Sequence, residues 1–317
     1  MKSSRNKTIN ISLKDGRGYL NKCIKWNNKL GLDDIKNKII IGDTFKVSPK
    51  LPKGVVDLMI VDPPYNLRKN YNGNVFKKTN KEEYRKFTKA WIEATLPLLK
   101  PNASIYVCCD WESSMVIGDV LTEYFNVRNR ITWQREKGRG AKTNWKNGME
   151  DIWFCTVTDD YTFNLDAVKV RRKVIAPYKL NGKPKDWEET EEGKIRNTCP
   201  SNFWDDISIP YWSMPENTAH PTQKPEKLLA KLILASSNKG DIVFDPFNGS
   251  GSTSVTAKKL NRNFIGIEQN EQYCIWAQKR LEMADSDKSI QGYAGGVFWE
   301  RNSSSKQKNN LKDIEHK

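Results

Sequence analysis

The chain has 317 residues, of which 37% are hydrophobic and 29% are charged, and its formal net charge is +15. This length is sufficient for one large domain, or for a catalytic domain that carries a substantial insert. An excess of lysine and arginine of this size favours a polyanionic partner, because basic side chains gain affinity by releasing counterions from phosphates. The sequence contains no basic amphipathic helix with a clean apolar face, so nucleic acid is favoured over an anionic membrane surface.

Membrane insertion, export and metal binding are not expected. No apolar run approaches about 20 residues and the first ten residues are polar, so we predict a cytoplasmic protein without a membrane span. The six cysteines include no C-x-x-C pair and histidine is nearly absent, which argues against a zinc site.

Short apolar runs alternate with longer segments of helical period along most of the chain. The apolar runs predict strands at 38–41, 56–61, 104–108, 127–133, 152–157, 241–244 and 264–267. The periodic segments predict helices at 82–99, 113–125, 227–236 and 272–281, and a further helix that follows residue 251 and ends at residue 260. This alternation predicts an α/β fold with a doubly wound, mostly parallel sheet.

The alternation stops between residues 158 and 215, where the chain is charged, rich in proline and tryptophan, and without a sustained period. The stretch is too long for an ordinary loop, so it predicts an insert with its own function. We therefore divide the chain into an N-terminal extension (1–37), two halves of a catalytic domain (38–157 and 216–283), the insert between these halves (158–215), and a partly disordered tail (284–317).

The turn between the strand at 241–244 and the next helix is rich in glycine, and it reads Asp245, Pro246, Phe247, Asn248, Gly249, Ser250, Gly251 and Ser252. Its glycines allow the backbone to pass close to a ligand, at which the new helix points its amides. Glu268 ends the following strand, where a carboxylate can accept hydrogen bonds from ribose hydroxyls. Val255 stands where a dinucleotide site would have a third glycine, so a nucleoside without phosphates, such as S-adenosylmethionine (SAM), fits better.

The sequence Asp62-Pro63-Pro64-Tyr65 follows another predicted strand, at the edge where open α/β sheets place their chemistry. Methylation of an aromatic amine requires that the nitrogen lone pair, which is delocalised into the ring, be aimed at the methyl donor. Acceptors for the two N–H groups would aim it, and the Asp62 carboxylate and the Pro63 carbonyl can be these acceptors, the carbonyl being held in direction by two proline rings. Tyr65 offers a flat face to an extruded base.

Three motifs resemble those of the amino-methyltransferases of restriction–modification systems: Asp62-Pro63-Pro64-Tyr65, then His220-Pro221-Thr222-Gln223-Lys224-Pro225, then Asp245-Pro246-Phe247-x-Gly249-Ser250-Gly251. Their order resembles the β group, in which the target-recognition region lies between the catalytic motif and the cofactor motif. The resemblance implies the SAM-dependent methyltransferase fold, and transfer of a methyl group from SAM to N6 of an adenine flipped out of double-stranded DNA.

The resemblance also implies contacts outside the two main motifs. Thr222 and Lys224 would lie near the methionine carboxylate of SAM, and Asp43 would lie near the SAM adenine. Trp133 resembles an aromatic residue that lines the pocket of the target base.

Recognition of a DNA sequence is expected in the segment from about residue 135 to residue 215. A basic stretch with two glycines opens this segment and a compact cationic group follows, which suits contacts with phosphates and grooves. The candidate DNA-binding residues are Arg135, Lys137, Arg139, Lys142, Lys146, Arg171, Arg172 and Lys173.

Several alternatives stay open at this stage. The acceptor could be cytosine N4, an RNA base or a protein amide, although aspartate at the first motif position resembles the adenine enzymes. Methylation of cytosine carbon 5 is disfavoured, because the pair Cys199-Pro200 lies in the insert and in reversed order. A non-enzymatic nucleic-acid-binding protein would leave the motifs unexplained, and a nicotinamide-dependent oxidoreductase would lack its third glycine. Protein partners to consider are a second copy of the chain and a cognate restriction endonuclease that acts separately.

Overall fold

The computed structural model describes residues 3–26, 30–67, 69–71, 74–135, 142–174, 178–190 and 193–301. The helices in these residues are α1 (Arg17–Leu20), α2 (Leu32–Ile35), α3 (Thr44–Val47), α4 (Lys81–Thr95), α5 (Trp111–Tyr124), α6 (Glu226–Ser236), α7 (Ser252–Lys259) and α8 (Glu271–Ser286). The strands are β1 (Ile24–Lys25), β2 (Lys38–Ile41), β3 (Val56–Val61), β4 (Lys69–Tyr71), β5 (Asn74–Phe76), β6 (Leu99–Cys109), β7 (Asn126–Gln134), β8 (Met149–Thr156), β9 (Val170–Lys173), β10 (Lys179–Leu180), β11 (Lys183–Pro184), β12 (Glu188–Thr190), β13 (Gly193–Thr198), β14 (Phe203–Trp204), β15 (Ile242–Asp245), β16 (Asn263–Glu268), β17 (Tyr293–Ala294) and β18 (Val297–Trp299). None of the helices in this part of the chain is long and apolar enough to cross a membrane.

The main sheet has nine strands within the described residues, in the order β1-β2-β16-β15-β3-β6-β8-β7-β14. Neighbouring strands are parallel from β1 to β6, and β14 is parallel to β7. Strand β8 runs antiparallel to both of its neighbours, because the chain turns back after β7 and fills the position beside β6. The predicted doubly wound, mostly parallel sheet is confirmed, and β8 is the strand that departs from the parallel arrangement.

Helices cover both faces of this sheet because its central strands are apolar on both sides. Along β3, Leu58 and Ile60 belong to a core shared with α6, α7 and α8, whereas Met59 and Val61 belong to a core shared with α4 and α5. Asn80 is the N-cap residue of helix α4. Its side chain accepts a hydrogen bond from the backbone N–H of Glu83, in the first turn, at 2.8 Å.

The two motifs expected to carry the chemistry meet where β3 and β15 lie side by side. The two strands are parallel, and the chain leaves β15 toward β16 on one side and β3 toward β6 on the other. Connections that diverge in this way leave a crevice at the carboxyl ends of the two strands, where open α/β sheets bind their ligands. Asp62 follows β3 and Asp245 ends β15, so residues distant in sequence share this crevice.

A second sheet combines the insert with the end of the chain. Its five strands have the order β12-β13-β9-β18-β17, with β18 parallel to β9. Phe298 lies opposite Val170 in this pairing, and both side chains are buried. The segment 284–317, in which we predicted partial disorder, is described as far as Arg301, and this part forms the end of α8 and the strands β17 and β18.

The segment 1–37, expected to be an extension, also joins the main fold. Strand β1 continues the main sheet by pairing in parallel with β2. Gln272 at the start of α8 donates a hydrogen bond to the carbonyl of Ile11 at 2.7 Å, which fixes the segment against that helix.

Candidate active site

The loop after β3 is fixed by contacts with both neighbouring helices. Pro63 is buried, and the hydroxyl of Tyr84 in α4 donates to the carbonyl of Pro64 at 3.1 Å. The backbone N–H of Asn66 donates to a serine hydroxyl at the start of α5 at 3.1 Å. Because the prolines also restrict φ, the Asp62 side chain leaves the end of the strand in a defined direction.

Asp62 lies in a cluster of polar side chains that come from three distant parts of the chain. The Tyr65 hydroxyl donates to Asp62 Oδ1 at 2.8 Å and lies 3.2 Å from Glu150 Oε2. Lys224 Nζ donates to Asp62 Oδ2 at 2.7 Å and to the Tyr65 hydroxyl oxygen at 3.0 Å, and it lies 3.3 Å from Glu150 Oε2. The Lys224 and Glu150 side chains are only 7% and 5% exposed, so the cluster is almost closed to water on that side.

The charges of this cluster balance. Arg135 binds Glu150 Oε1, so the carboxylates of Asp62 and Glu150 face the two cations Arg135 and Lys224. Burial opposes the charge of Lys224, but the two carboxylates outweigh it and raise the pKa of the ammonium above its ordinary value. Burial and the same carboxylates raise the pKa of Tyr65, so its hydroxyl keeps the proton that it donates to Asp62.

Arg135, Glu150 and Lys224 line a cavity of about 180 Å³ on one side of the cluster. Trp133 forms another wall, and its buried indole N–H donates to the carbonyl of Ile207 at 3.0 Å. Trp133, for which we predicted a place in the pocket of the target base, thus lines this cavity, and its contact with a base stays a prediction. The sequence interpretation missed Glu150, although two adjacent acidic residues directly before an apolar strand are an unusual signal.

A second cavity, of about 430 Å³, is lined by Asp62 itself. Its size falls within the range of small-molecule sites. Its walls are the end of β2 and the start of α3, the loop after β3, the glycine-rich turn and the end of β16. The predicted residues that line it are Asp43, Asp62, Pro63, Pro64, Tyr65, Thr222, Phe247, Gly249 and Glu268.

The glycine-rich turn approaches this cavity in a conformation that needs its glycines. Gly249 and Gly251 have φ of 50° and 80°, in the left-handed region. A Cβ atom on Gly251 would lie 2.6 Å from the Cβ atom of Ala277, so α8 packs where a side chain would be. The turn therefore requires glycine at position 251 for both conformation and space.

Glu268 is the carboxylate at the end of β16, as predicted. Its Oε2 accepts from the backbone N–H of Gly249 at 2.8 Å, and its Oε1 accepts from that of Asn270 at 2.7 Å. Burial raises its pKa to about 7, against the lowering effect of these hydrogen bonds. Burial likewise raises the pKa of Asp245 to about 7. Asp245 and Glu268 both accept hydrogen bonds from backbone N–H groups of the glycine-rich turn, and Glu268 also lines the cavity.

These shifts predict how stability depends on pH. Glu216 also has a pKa raised to about 7, by desolvation and by the charge of Glu226. A carboxyl whose folded pKa exceeds its unfolded value binds a proton on folding, so its stabilising contribution is present below pH 4 and is lost as pH rises through 7. We expect the free energy of unfolding of the SAM-free protein to fall between pH 5 and 7.5, by on the order of 1 kcal/mol for each unit of pKa shift. Urea unfolding at several pH values measures this, with Glu268→Gln expected to reduce the slope. A free energy that rises across this window would contradict it.

Four predicted cofactor residues support the turn instead of lining the larger cavity. The Asn248 amide oxygen accepts from Ser254 Oγ at 2.6 Å. The Ser250 carbonyl and the Ser252 hydroxyl both bind Arg280 Nη1 at 2.9 Å. The fourth is Asp245, whose Oδ1 accepts a hydrogen bond from the backbone N–H of Phe247 at 3.0 Å.

Lys224 and Arg280 have roles that the sequence did not reveal. Lys224 was expected near a cofactor carboxylate, and the structure places its Nζ against Asp62. Buried Arg280 joins the glycine-rich turn to Glu226 of α6 through a 2.9 Å ion pair.

The predicted DNA-binding residues are in different situations. Lys142, Lys146 and Lys173 are exposed, whereas Arg171 pairs with Glu188 at 2.6 Å and Arg172 lies 3.2 Å from an aspartate. Arg135 belongs to the catalytic cluster, as described above. The two remaining candidates, Lys137 and Arg139, lie outside the described residues.

The larger cavity fits a nucleoside with an amino-acid side arm. Glu268 offers carboxylate lone pairs for ribose hydroxyls, and the rings of Phe45 and Phe247 with Ile267 offer apolar walls for a base. The left-handed glycines leave open backbone beside the cavity, where a Cβ atom at Gly249 would approach the His220 ring to 3.1 Å. Together with the switch point of the sheet, these residues define a SAM-dependent methyltransferase.

The comparisons with known proteins make this class specific. A family profile described as DNA methylase matches residues 56–279. The chain is 35% identical over 250 residues to type II methyltransferase M.HpaI of Haemophilus parainfluenzae, covering 77% of this chain and 74% of that protein. It is 35% identical over 254 residues to DNA adenine methyltransferase YhdJ of Escherichia coli K12, covering 78% and 83%. The crystal structure of the M1.HpyAVI–SAM complex superposes with a TM-score of 0.53 at 27% identity, covering 77% of this chain and 98% of that one. The chain therefore belongs to the DNA methylase family and is a SAM-dependent DNA methyltransferase.

Proposed function

We propose that this DNA methyltransferase transfers the methyl group of SAM to the exocyclic N6 of adenine, in a base flipped out of double-stranded DNA. The position of Asp62 carries the proposal. Asp62 lines the larger cavity, which fits SAM, while its partners Lys224 and Glu150 line the smaller cavity, and Thr222 lines both cavities. A base in the smaller cavity and a methyl donor in the larger one would thus meet at this carboxylate.

Two observations favour adenine over the alternative of cytosine N4. The catalytic motif begins with aspartate, as in the adenine enzymes that it resembles. YhdJ, which is 35% identical over 78% of this chain, is named an adenine methyltransferase.

Asp62 and Pro63 orient the amine. One N–H of the adenine amino group donates to the Asp62 carboxylate and the other to the Pro63 carbonyl, which directs the nitrogen lone pair toward the larger cavity. Positive charge develops on this nitrogen as the new bond forms, the adjacent carboxylate stabilises it, and the methylated nitrogen then releases one proton to solvent. Holding the amine and the methyl donor in a reactive geometry supplies much of the remaining rate acceleration, because it converts a bimolecular step into an effectively unimolecular one.

Residues around the larger cavity hold the cofactor. Glu268 binds the ribose hydroxyls, Asp43 lies near the adenine and Thr222 lies near the methionine carboxylate. All three residues line the larger cavity. When bound, SAM would supply a methyl group on a sulfonium, whose sulfur leaves as a neutral thioether. Pro64 and Tyr65 close the catalytic side of this cavity.

Lys224 positions Asp62 without consuming its capacity to accept hydrogen bonds. Each carboxylate oxygen has two lone pairs, and the contacts with Lys224 and Tyr65 use one on each oxygen. An N–H of the base therefore finds a free lone pair on a carboxylate that is already oriented. Since the two acids are matched by Arg135 and Lys224, the cluster can remain buried without net charge.

The second sheet, formed by the insert and residues 293–299, is proposed to read the DNA sequence. Its exposed Lys173 suits a phosphate contact, while Arg171 and Arg172 are already oriented by acidic partners. The sequence that is methylated should therefore be determined by this sheet and by the adjoining segment after β7. A homodimer and a separately acting restriction endonuclease remain predictions.

Analysis of DNA from cells that express the protein tests the function. Digestion to nucleosides and mass spectrometry are expected to reveal N6-methyladenine, and sequencing of the methylome should place it at one recurring sequence. DNA from cells that express the Asp62→Ala variant is the control. N4-methylcytosine as the sole product would overturn the choice of base, and DNA without either product would overturn the function.

A further inference from the structure

Trp145 is unusually exposed for a tryptophan. It lies in the segment between β7 and β8, and the residue is 93% exposed to solvent. This is the largest exposed fraction among the large apolar residues that the structure describes. Lys142 and Lys146 flank it, and both are exposed. Tryptophan is usually well buried, and an indole exposed between two cations suits a polyanionic partner that offers flat bases for stacking.

Trp145 lies close in the chain to residues that border the smaller cavity. The backbone N–H of Arg135 donates to the carbonyl of Gly148 at 2.7 Å, which closes the base of the segment. Arg135 and Glu150, on either side of this closure, both line the smaller cavity. Three residues of chain span at most about 11 Å, so Trp145 stays within that distance of Gly148.

Extraction of a base into this cavity leaves two unfavourable features in the duplex. The target strand contains a gap one base thick, so the bases on either side of the gap lose a stacking neighbour, and the partner base loses its pairing. A planar aromatic side chain that enters the gap restores a stacking neighbour for the bases on either side of it. Cations beside that side chain would be placed at the flanking phosphates.

We propose that Trp145 enters the DNA stack at the position vacated by the flipped adenine, with Lys142 and Lys146 on the phosphates next to it. The proposal rests on the proposed function, because it assumes that a base is taken out of the duplex. It assigns Trp145 to extraction of the base and leaves methyl transfer to the cluster around Asp62.

The test compares two duplexes that carry the methylated sequence found in the methylome. In one, the target adenine is paired with thymine; in the other it faces a non-pairing adenine, so that extraction costs less. Trp145→Ala is expected to lower kcat/KM about tenfold on the paired duplex and much less on the mismatched one, in line with the stacking of one base on an aromatic ring. Trp145→Phe should restore most of the loss, and Met115→Ala, at an exposed position of α5, should change neither value.

A second measurement reports extraction directly. With 2-aminopurine at the target position, the wild-type protein is expected to raise the fluorescence as the base leaves the stack, and Trp145→Ala to raise it less. Equal losses on the two duplexes, or no loss, would overturn the role of Trp145. A change of oligomeric state in Trp145→Ala with equal activity on both duplexes would assign the indole to contact with a second copy. Absence of N6-methyladenine with the wild-type protein would instead contradict the proposed function.

Discussion

Replacement of Asp62 by alanine is expected to lower kcat for methyl transfer by about 10²–10³-fold or more, as loss of one oriented charge-stabilising group does in other enzymes. Its side chain is the acceptor held by Lys224 and Tyr65 at the larger cavity. SAM binding should persist, because Glu268 and the glycine-rich turn remain. Methylation assays and calorimetric titration with SAM measure the two effects separately.

Asp62→Asn is the matched control for shape. The amide keeps one acceptor oxygen but loses the charge, so it should retain SAM binding and recover little of the activity. Folding should survive in both variants, since Glu150 stays beside both Lys224 and Arg135, although one carboxylate then faces two cations. A loss of SAM affinity as large as the loss of activity would assign Asp62 to cofactor binding instead.

Replacement of Gly251 by alanine is expected to weaken SAM binding about tenfold or more and to destabilise the fold. A residue with a side chain costs about 1–2 kcal/mol in the left-handed region. The new Cβ atom would also lie 2.6 Å from that of Ala277, so the turn or α8 must move. Calorimetric titration with SAM and denaturant unfolding measure both effects.

Gly240→Ala separates conformational strain from steric conflict. Gly240 has φ of 87°, and a Cβ atom there would meet no atom within 4 Å. This variant should lose about 1–2 kcal/mol of stability and keep its SAM affinity. Equal effects of the two substitutions on SAM affinity would show that the packing of α8 against the turn is unimportant for the cofactor.

Much of the fold could be predicted because its central elements are apolar and periodic. Strand β3 was predicted at the residues that form it, and α6 within one residue, since burial on a sheet face requires a continuous apolar run. The order of strands could not be predicted in this way. Periodicity does not say which strand lies beside which, and so the antiparallel insertion of β8 between β6 and β7 was not foreseen.

The candidate site was predicted to the extent that local motifs carry it. Asp62 and Glu268 were assigned from their positions at strand ends, where the structure places them. Glu150 was not assigned to the site, because a charged residue does not extend an apolar run and because its burial depends on cations elsewhere in the chain. Lys224 was assigned to the cofactor from the family resemblance. Its contact with Asp62 could not be predicted from a local motif, because it joins residues 162 positions apart.

The placement of β18 beside β9 has a consequence for the order in which the protein matures during synthesis. Strand β9 can pair with β18 only after the ribosome has added more than a hundred further residues, because β18 ends at Trp299. Both strands of the catalytic crevice, β3 and β15, have left the ribosome well before that point. A nascent chain can therefore assemble its catalytic centre while the sheet proposed to read DNA is still open, and chains that stop short of Val297 would keep the first without completing the second.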